Sequence, residues 1–270
     1  MKVRVGIGSW ADDAYKGVLY PPGLPRAGRL GEYARHFSHV EVNATYYALP
    51  KREAVRAWVQ QTPPSFTFSL KLHRAVATSP ARTVEKGTLV PRLLEQVQPL
   101  VEAGRLLCFF LVLPPSFAPD RHRLDELDAL VQALTPHRLA VELRDRRWVA
   151  GRQKAETLRY FRERKLVWIA VDMPRIPGSS LMPAVDVATN PSLAYLRLHG
   201  RNPSYLEAGS AAEGHHYAYS SREIASLANR VRRLGHDAAE VAVIANNHAS
   251  DFAPRTALAL QERLRGRKPQ

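Results

Sequence analysis

Short apolar runs recur along the chain, and most of them end in charged or amide side chains. Eight such runs, rich in valine, isoleucine, leucine and aromatic residues, have the length of β-strands and cover residues 3–7, 40–42, 67–70, 106–112, 139–143, 167–171, 194–198 and 241–245. A (β/α)8 barrel carries its binding residues at the carboxyl ends of its parallel strands. The polar strand ends therefore predict an α/β protein of the TIM type, a (β/α)8 barrel of parallel strands.

Most segments between these runs have the periodicity of amphipathic helices. Apolar side chains recur at helical spacing, for example at Leu30, Tyr33, Ala34 and Phe37. The exception follows Asp172, because residues 173–192 contain four prolines and a glycine, and proline interrupts a helix. We expect the sixth helix to be replaced by a loop. We also expect one barrel domain over residues 1–270, of which residues 261–270 form a basic C-terminal tail.

The polar residues at the strand ends occur in pairs separated by two positions. A β-strand has a period of two, so both members of a pair lie on one face of their strand. The outer face of a barrel packs against helices, which favours the interior and the mouth for these pairs. The pairs are Glu41 and Asn43, Lys71 and His73, Glu142 and Arg144, Arg197 and His199, and Asn246 and His248.

Composition indicates which partners are expected. Lys and Arg number 39 against 25 Asp and Glu, a formal net charge of +14, which favours anionic partners; many of the arginines, however, lie on predicted helix faces exposed to solvent. Cys108, the single cysteine, lies in an apolar run and is expected to be a packed core thiol. The start of the chain lacks an apolar leader, and the longest apolar run is too short to cross a bilayer. We expect a cytoplasmic protein with no membrane association.

The strand-end motifs resemble those of the YecE-like family, long catalogued as a domain of unknown function. The matching stretches follow the family's order over nearly the whole chain and read GIGSW, YKGVLYPPGL, YARHFSHVEVNATYYALP, TPPSFTFSLKLH, LPPSF, LAVELRDRRW, YLRLHG and IANNHASDFAP. The resemblance implies a TIM-type barrel with a polar signature at its mouth, but it implies no reaction. The residues that match this signature are Glu41, Asn43, Glu142, Arg144, Arg197, His199 and Asn247.

Three residues are candidates for proton transfer. Burial in an apolar mouth can raise a carboxylate pKa toward neutrality, which favours Glu41 and Glu142 as general acids or bases. His199 is a candidate proton shuttle. The alternative is that each carboxylate is tied to Arg144 or Arg197 in a buried structural ion network.

Further polar and aromatic residues are candidates for substrate binding. The guanidinium groups of Arg144 and Arg197 can hold a carboxylate or phosphate through two hydrogen bonds. Trp10 and Tyr46 could stack on a sugar or base, or alternatively brace the long first loop. The other candidates for substrate binding are Asn43, Lys71, Asp172, Asn246 and Asn247.

No metal or cofactor is predicted. Side chains that could in principle ligate Zn or Mn are present, but they lack the spacing of a metal-binding motif; they are Glu41, His73, Glu142, Asp172, His199 and His248.

Three functions remain open from the sequence. The first is a barrel enzyme that binds an anionic small molecule, bearing phosphate or carboxylate, and uses Glu41, Glu142 and His199 in acid–base chemistry. The second is a barrel that binds nucleic acid or cleaves phosphodiesters with the help of a metal. The third is a barrel that binds a ligand without turnover, and the fold itself cannot choose among them.

Overall fold

The computed structural model describes residues 1–85, 87–247 and 249–266, with the side chain of Ala211 excepted. In this part of the chain eight strands form one sheet in the order β1-β8-β7-β6-β5-β4-β3-β2, and each hydrogen-bonded pair is parallel. The strands are β1 (Lys2–Ile7), β2 (His39–Val42), β3 (Thr67–Lys71), β4 (Leu106–Val112), β5 (Leu139–Glu142), β6 (Val167–Asp172), β7 (Ala194–Leu198) and β8 (Glu240–Ala245). The predicted TIM-type barrel is confirmed, and the predicted strand ends agree with the observed ones to within one residue.

Helices follow the strands in the described part of the chain. They are α1 (Arg29–His36), α2 (Arg52–Gln61), α3 (Arg74–Thr78), α4 (Pro80–Glu85), α5 (Leu89–Glu102), α6 (Asp128–Leu134), α7 (Gln153–Glu163), α8 (Ala211–Gly214), α9 (Ser221–Leu234) and α10 (Phe252–Leu264). Helix α10 includes the first four residues of the predicted basic tail, and residues 267–270 of that tail lie outside the described part. None of the helices described is long and apolar enough to cross a membrane.

The predicted loss of the sixth helix is confirmed. Residues 173–193, between β6 and β7, contain no helix. Side-chain hydrogen bonds fasten this loop to the barrel instead: the Thr189 hydroxyl accepts from the Trp168 amide at 2.9 Å and donates to the Leu166 carbonyl at 2.7 Å. The Trp168 indole N–H donates to the Val185 carbonyl at 3.0 Å. Since the loop has no helical hydrogen bonds of its own, these contacts satisfy backbone groups that would otherwise be buried unpaired.

A tyrosine hydroxyl bridges the first and second strands, where the barrel closes. The hydroxyl of Tyr33 accepts from the Ile7 amide and donates to the His39 carbonyl, both at 2.9 Å. The two backbones approach closely here, and a Cβ on Gly6 would overlap the carbonyl oxygen of His39. A glycine is therefore needed on β1 for the barrel to close.

Candidate active site

The guanidinium of Arg197 lies at the centre of a buried charge network at the carboxyl end of the barrel. Its Nε and Nη2 donate to the two oxygens of Glu41 at 2.9 and 3.0 Å, and its Nη1 donates to Glu142 Oε2 at 2.6 Å. The ring of Phe110 lies beneath it, 5.4 Å from the guanidinium carbon. Arg197 is 2% exposed and both carboxylates are fully buried. Three strands, β2, β5 and β7, are thus joined by one cation.

Glu142 contacts further polar groups through its second oxygen. Arg144 Nε lies 2.5 Å and His199 Nε2 lies 3.3 Å from Glu142 Oε1; neither contact has the angles of a good hydrogen bond, so we treat both as ion-pair contacts. Burial by itself raises the pKa of Glu142, but the charges of Arg144 and Arg197 outweigh it and hold the pKa well below its usual range. Glu142 is therefore an anion at neutral pH.

His199 is neutral at the same pH. Burial lowers its pKa to about 4, and the nearby charge of Glu142 offsets this only in part. The carboxamide of Asn246 accepts from Arg197 Nη2 at 3.1 Å, so its NH2 group points to His199 Nδ1, also at 3.1 Å. This assignment of the amide places the imidazole proton on Nε2, facing Glu142.

A cavity of about 170 Å³ opens above this network. Lys71 and Arg144 supply its charged wall and Tyr46 its aromatic wall, and the β4 end adds apolar surface from Val112, Pro114 and Pro115. The Lys71 ammonium lies 4.4 Å from the centre of the Tyr46 ring, a cation–π contact. Burial and the charge of Arg197 lower the pKa of Lys71 to about 8.

The charges around the cavity do not balance. Three cations, Lys71, Arg144 and Arg197, face two carboxylates, Glu41 and Glu142. His199 is neutral, so this cluster carries one net positive charge below the pKa of Lys71. The arrangement suits an anion in the cavity.

Two predicted binding residues, Asp172 and Asn247, face away from the mouth. Asp172 lies on the same face of β6 as Trp168, which packs outward on α7 at Phe161, and its carboxylate accepts from Arg201 at 2.8 and 2.9 Å and from Arg230. It borders a second cavity, of about 770 Å³, beside the helix-free loop.

Asn247 also faces outward. Its Nδ2 donates to the Tyr217 carbonyl at 2.8 Å and to the Thr256 hydroxyl at 3.0 Å. Adjacent strand residues point to opposite faces, and Asn246 occupies the inward position. Asn247 therefore lies apart from the network around Arg197, and its assignment to substrate binding stays a prediction.

The remaining candidates stand near the mouth in supporting positions. Asn43 Nδ2 donates to the Gly8 carbonyl at 2.8 Å across the closing strands. Trp10 packs edge-on against Trp58 with ring centres 5.5 Å apart. This contact fits the alternative role of Trp10, in which its ring braces the first loop instead of stacking on a ligand. His73 caps α3 by accepting from the Ala75 amide.

Six of these side chains carry groups that could ligate a metal. His248 lies outside the described residues. In the ranges that the structure describes, no group of three His, Cys, Asp or Glu side chains could hold a metal ion.

Several residues of the site were not among the predicted catalytic or substrate-binding residues. Tyr195 donates its hydroxyl to Glu41 Oε1 at 2.9 Å, and its position two residues before Arg197 was a signal for it. The hydroxyl of Tyr205 lies 3.4 Å from Arg144 Nη1, and the ring of His215 lies 5.1 Å from that of His199. Both belong to the loop after β7, where no strand periodicity indicates their direction.

These features define a (β/α)8-barrel protein with a charged cavity at the carboxyl ends of its strands. The family model described as "Protein of unknown function DUF72" matches residues 4–270. The chain belongs to this family, which confirms the YecE-like resemblance.

Relatives and solved structures agree with this assignment. The UPF0759 protein YunF of Bacillus subtilis is 22% identical over 259 residues, covering 93% of this chain and 90% of YunF. The UPF0759 protein YecE of Escherichia coli K12 is 35% identical over 144 residues, half of each chain.

Among solved structures, a DUF72 family protein (EF0366) of Enterococcus faecalis V583 has a TM-score of 0.87 at 28% identity, covering 97% of this chain and 95% of that one. Another (TM1631), of Thermotoga maritima MSB8, has a TM-score of 0.85 at 29% identity, covering 98% and 100%.

Proposed function

We propose that this barrel is an enzyme that binds a small carboxylate- or phosphate-bearing molecule in the cavity between Lys71 and Arg144. The observation that carries the proposal is the excess positive charge of the site, with these two cations on one cavity wall. An anion of one charge would balance the cluster. The carboxyl ends of barrel strands are also where enzymes of this fold keep their chemistry.

Arg144 is suited to be the anchor for the anion. Its Nε is held 2.5 Å from the ionised Glu142, and its side chain keeps 21% of its surface exposed. A guanidinium fixed at one edge still offers its other N–H groups to a carboxylate or phosphate. The ion pair thus orients Arg144 before the ligand arrives, which lowers the entropic cost of binding.

The buried carboxylates and His199 have a positioning role in this proposal. Glu41, Glu142 and His199 are fully buried and do not line the cavity. Glu142 is bound by two guanidinium groups and its pKa is held low, which makes it a poor proton acceptor. The geometry therefore favours the structural ion network over direct acid–base catalysis by these three residues.

The size of the cavity restricts the ligand. A volume of about 170 Å³ lies below the roughly 300–1,000 Å³ of sites for drug-sized molecules. At about 30 Å³ per water molecule it corresponds to about six waters. A molecule of three or four carbons with one anionic group fits this space.

Calorimetric titration with inorganic phosphate and with pyruvate tests the proposal. We expect binding that Arg144→Ala weakens at least about tenfold, which corresponds to about 1.4 kcal/mol, and that Arg144→Lys restores only in part. The matched control is Arg159→Ala, which removes the same charge from a side chain 70% exposed on α7. Equal weakening in both alanine variants would mean that only net charge matters, and no binding of either anion would reject the proposal.

The same variants test the nucleic-acid alternative. A single-stranded oligonucleotide held by scattered surface charge should be released near physiological salt. Binding that survives this salt concentration and is lost in Arg144→Ala, but not in Arg159→Ala, would favour the alternative over the small anion.

A further inference from the structure

Lys71 differs from the other cations of the site in its surroundings. Arg144 and Arg197 each contact a carboxylate, at 2.5 Å and at 2.6–3.0 Å respectively. The ammonium of Lys71 instead lies on the Tyr46 ring at 4.4 Å. In the described part of the chain, Lys71 forms no ion pair within 4.0 Å.

The Tyr46 ring stabilises the ammonium, but burial and a neighbouring cation act in favour of the uncharged amine. Burial and the charge of Arg197 together lower the pKa of Lys71 to about 8, although Glu142 and Glu41 act in the opposite direction. A larger fraction of the Lys71 side chains is then uncharged near neutral pH than for a lysine of ordinary pKa. An uncharged amine is a nucleophile, and desolvation beside another cation is a known way to make one.

Lys71 is also placed where a bound ligand would lie. The side chain ends β3, at the carboxyl end of the barrel, and lines the same small cavity as Arg144. A ligand anchored on Arg144 by an anionic group would have its remaining atoms within this cavity.

We propose that Lys71 is the nucleophile of this site, and that it forms an imine with the carbonyl carbon of a small aldehyde acid or keto acid whose anionic group rests on Arg144. The inference rests on the proposed function and names its substrate class. The amine nitrogen adds to the carbonyl carbon, and the resulting carbinolamine loses its oxygen as water. A C=N bond replaces the C=O bond, both amine protons leave with the oxygen as water, and no oxidant or reductant is needed.

Reductive trapping on the wild-type protein tests the imine. The protein is incubated with glyoxylate and sodium cyanoborohydride, and modified lysines are located by peptide mass spectrometry. We expect Lys71 to be labelled at least about tenfold faster than Lys154, an exposed lysine of α7. The rate should rise with pH with a midpoint near 8, and inorganic phosphate should slow labelling of Lys71 but not of Lys154.

Two further measurements separate the inference from the proposed function. Propionaldehyde carries no anionic group, so it should label Lys71 more slowly than glyoxylate does, and Arg144→Ala should remove this difference. Fast labelling by both aldehydes, unaffected by Arg144→Ala, would uphold the nucleophile and overturn the anion site. Phosphate and pyruvate binding without selective labelling of Lys71 would overturn the nucleophile and leave the anion site standing.

Lys71→Arg provides the matched variant. It keeps the positive charge and removes the reactive amine, so labelling at position 71 should disappear while labelling of Lys154 continues at the wild-type rate. Site-selective labelling that continues at the wild-type rate at another residue in a folded Lys71→Arg protein would overturn the proposed nucleophilic role.

Discussion

Replacing Arg197 with methionine removes the guanidinium that contacts both Glu41 and Glu142. The side chain donates three charge-assisted hydrogen bonds of 2.6–3.0 Å to them and is 2% exposed. Methionine has similar length, so the variant tests the lost charge more than a lost volume. Removing one partner of a buried ion pair costs about 3–5 kcal/mol of stability. We expect Arg197→Met to lower the free energy of unfolding by an amount in this range at neutral pH.

The destabilisation caused by Arg197→Met should depend on pH, and the pKa of Glu142 determines the direction of this dependence. In the wild-type protein the pKa of Glu142 is held below its unfolded value. The carboxylate therefore contributes stability above the unfolded pKa, and this is lost only as pH falls through the lower folded pKa. Without Arg197, less positive charge opposes the effect of burial, so the folded pKa of Glu142 rises. The difference in stability between the variant and the wild-type protein should therefore be smaller near about pH 5 than at neutral pH.

Urea unfolding followed by far-UV circular dichroism, at about pH 5.5 and pH 7.5, measures both effects. The double variant Arg197→Met with Glu142→Gln is the control, because neutralising a stranded carboxylate should recover part of the loss at pH 7.5. A loss below about 1 kcal/mol that is the same at both pH values would refute the reasoning. It would mean that water or a shifted Arg144 replaces the lost partner.

Two further predictions concern the barrel outside the site. Tyr33→Phe should lower the free energy of unfolding, measured in urea, by about 2–4 kcal/mol and speed amide exchange at Ile7. The reason is that the Ile7 N–H and the His39 carbonyl lose the hydroxyl that bridges them. A decrease below about 0.5 kcal/mol would contradict this. Burial raises the pKa of the Cys108 thiol to about 12, so Ellman's reagent should label Cys108 only as fast as the protein unfolds, and rapid labelling of the native protein would contradict the buried placement.

The fold was predictable because two strong local signals agree with each other. Apolar runs of strand length recur with helical segments between them, and four prolines in residues 173–192 exclude the sixth helix. Helical periodicity in the sequence does not indicate helices α3 and α4. They are five and six residues long, too short for their periodicity to be recognised.

The direction of the site residues was predictable only where strand parity was applied strictly. Glu142 and Arg144, and Arg197 and His199, contact the same network, as their spacing of two indicates. Asp172 lies four residues after Trp168 and therefore on the same face of β6, the face that packs against helices. The same rule shows that Asn246 and Asn247 cannot both face the mouth.

The burial of each site residue and its hydrogen-bond and ion-pair partners were not predictable from the sequence, since they arise only when distant strands come together. Glu41 and Arg197 are 156 positions apart in the chain, and their pairing decides which cations remain for a ligand. Because Arg197 binds both carboxylates, it leaves Arg144 and Lys71 as the cations on the cavity wall. The pKa of an acid or base depends on burial and on neighbouring charge. Glu142, which seemed suited to proton transfer, is therefore held as an anion, whereas burial and the charge of Arg197 lower the pKa of Lys71 to about 8.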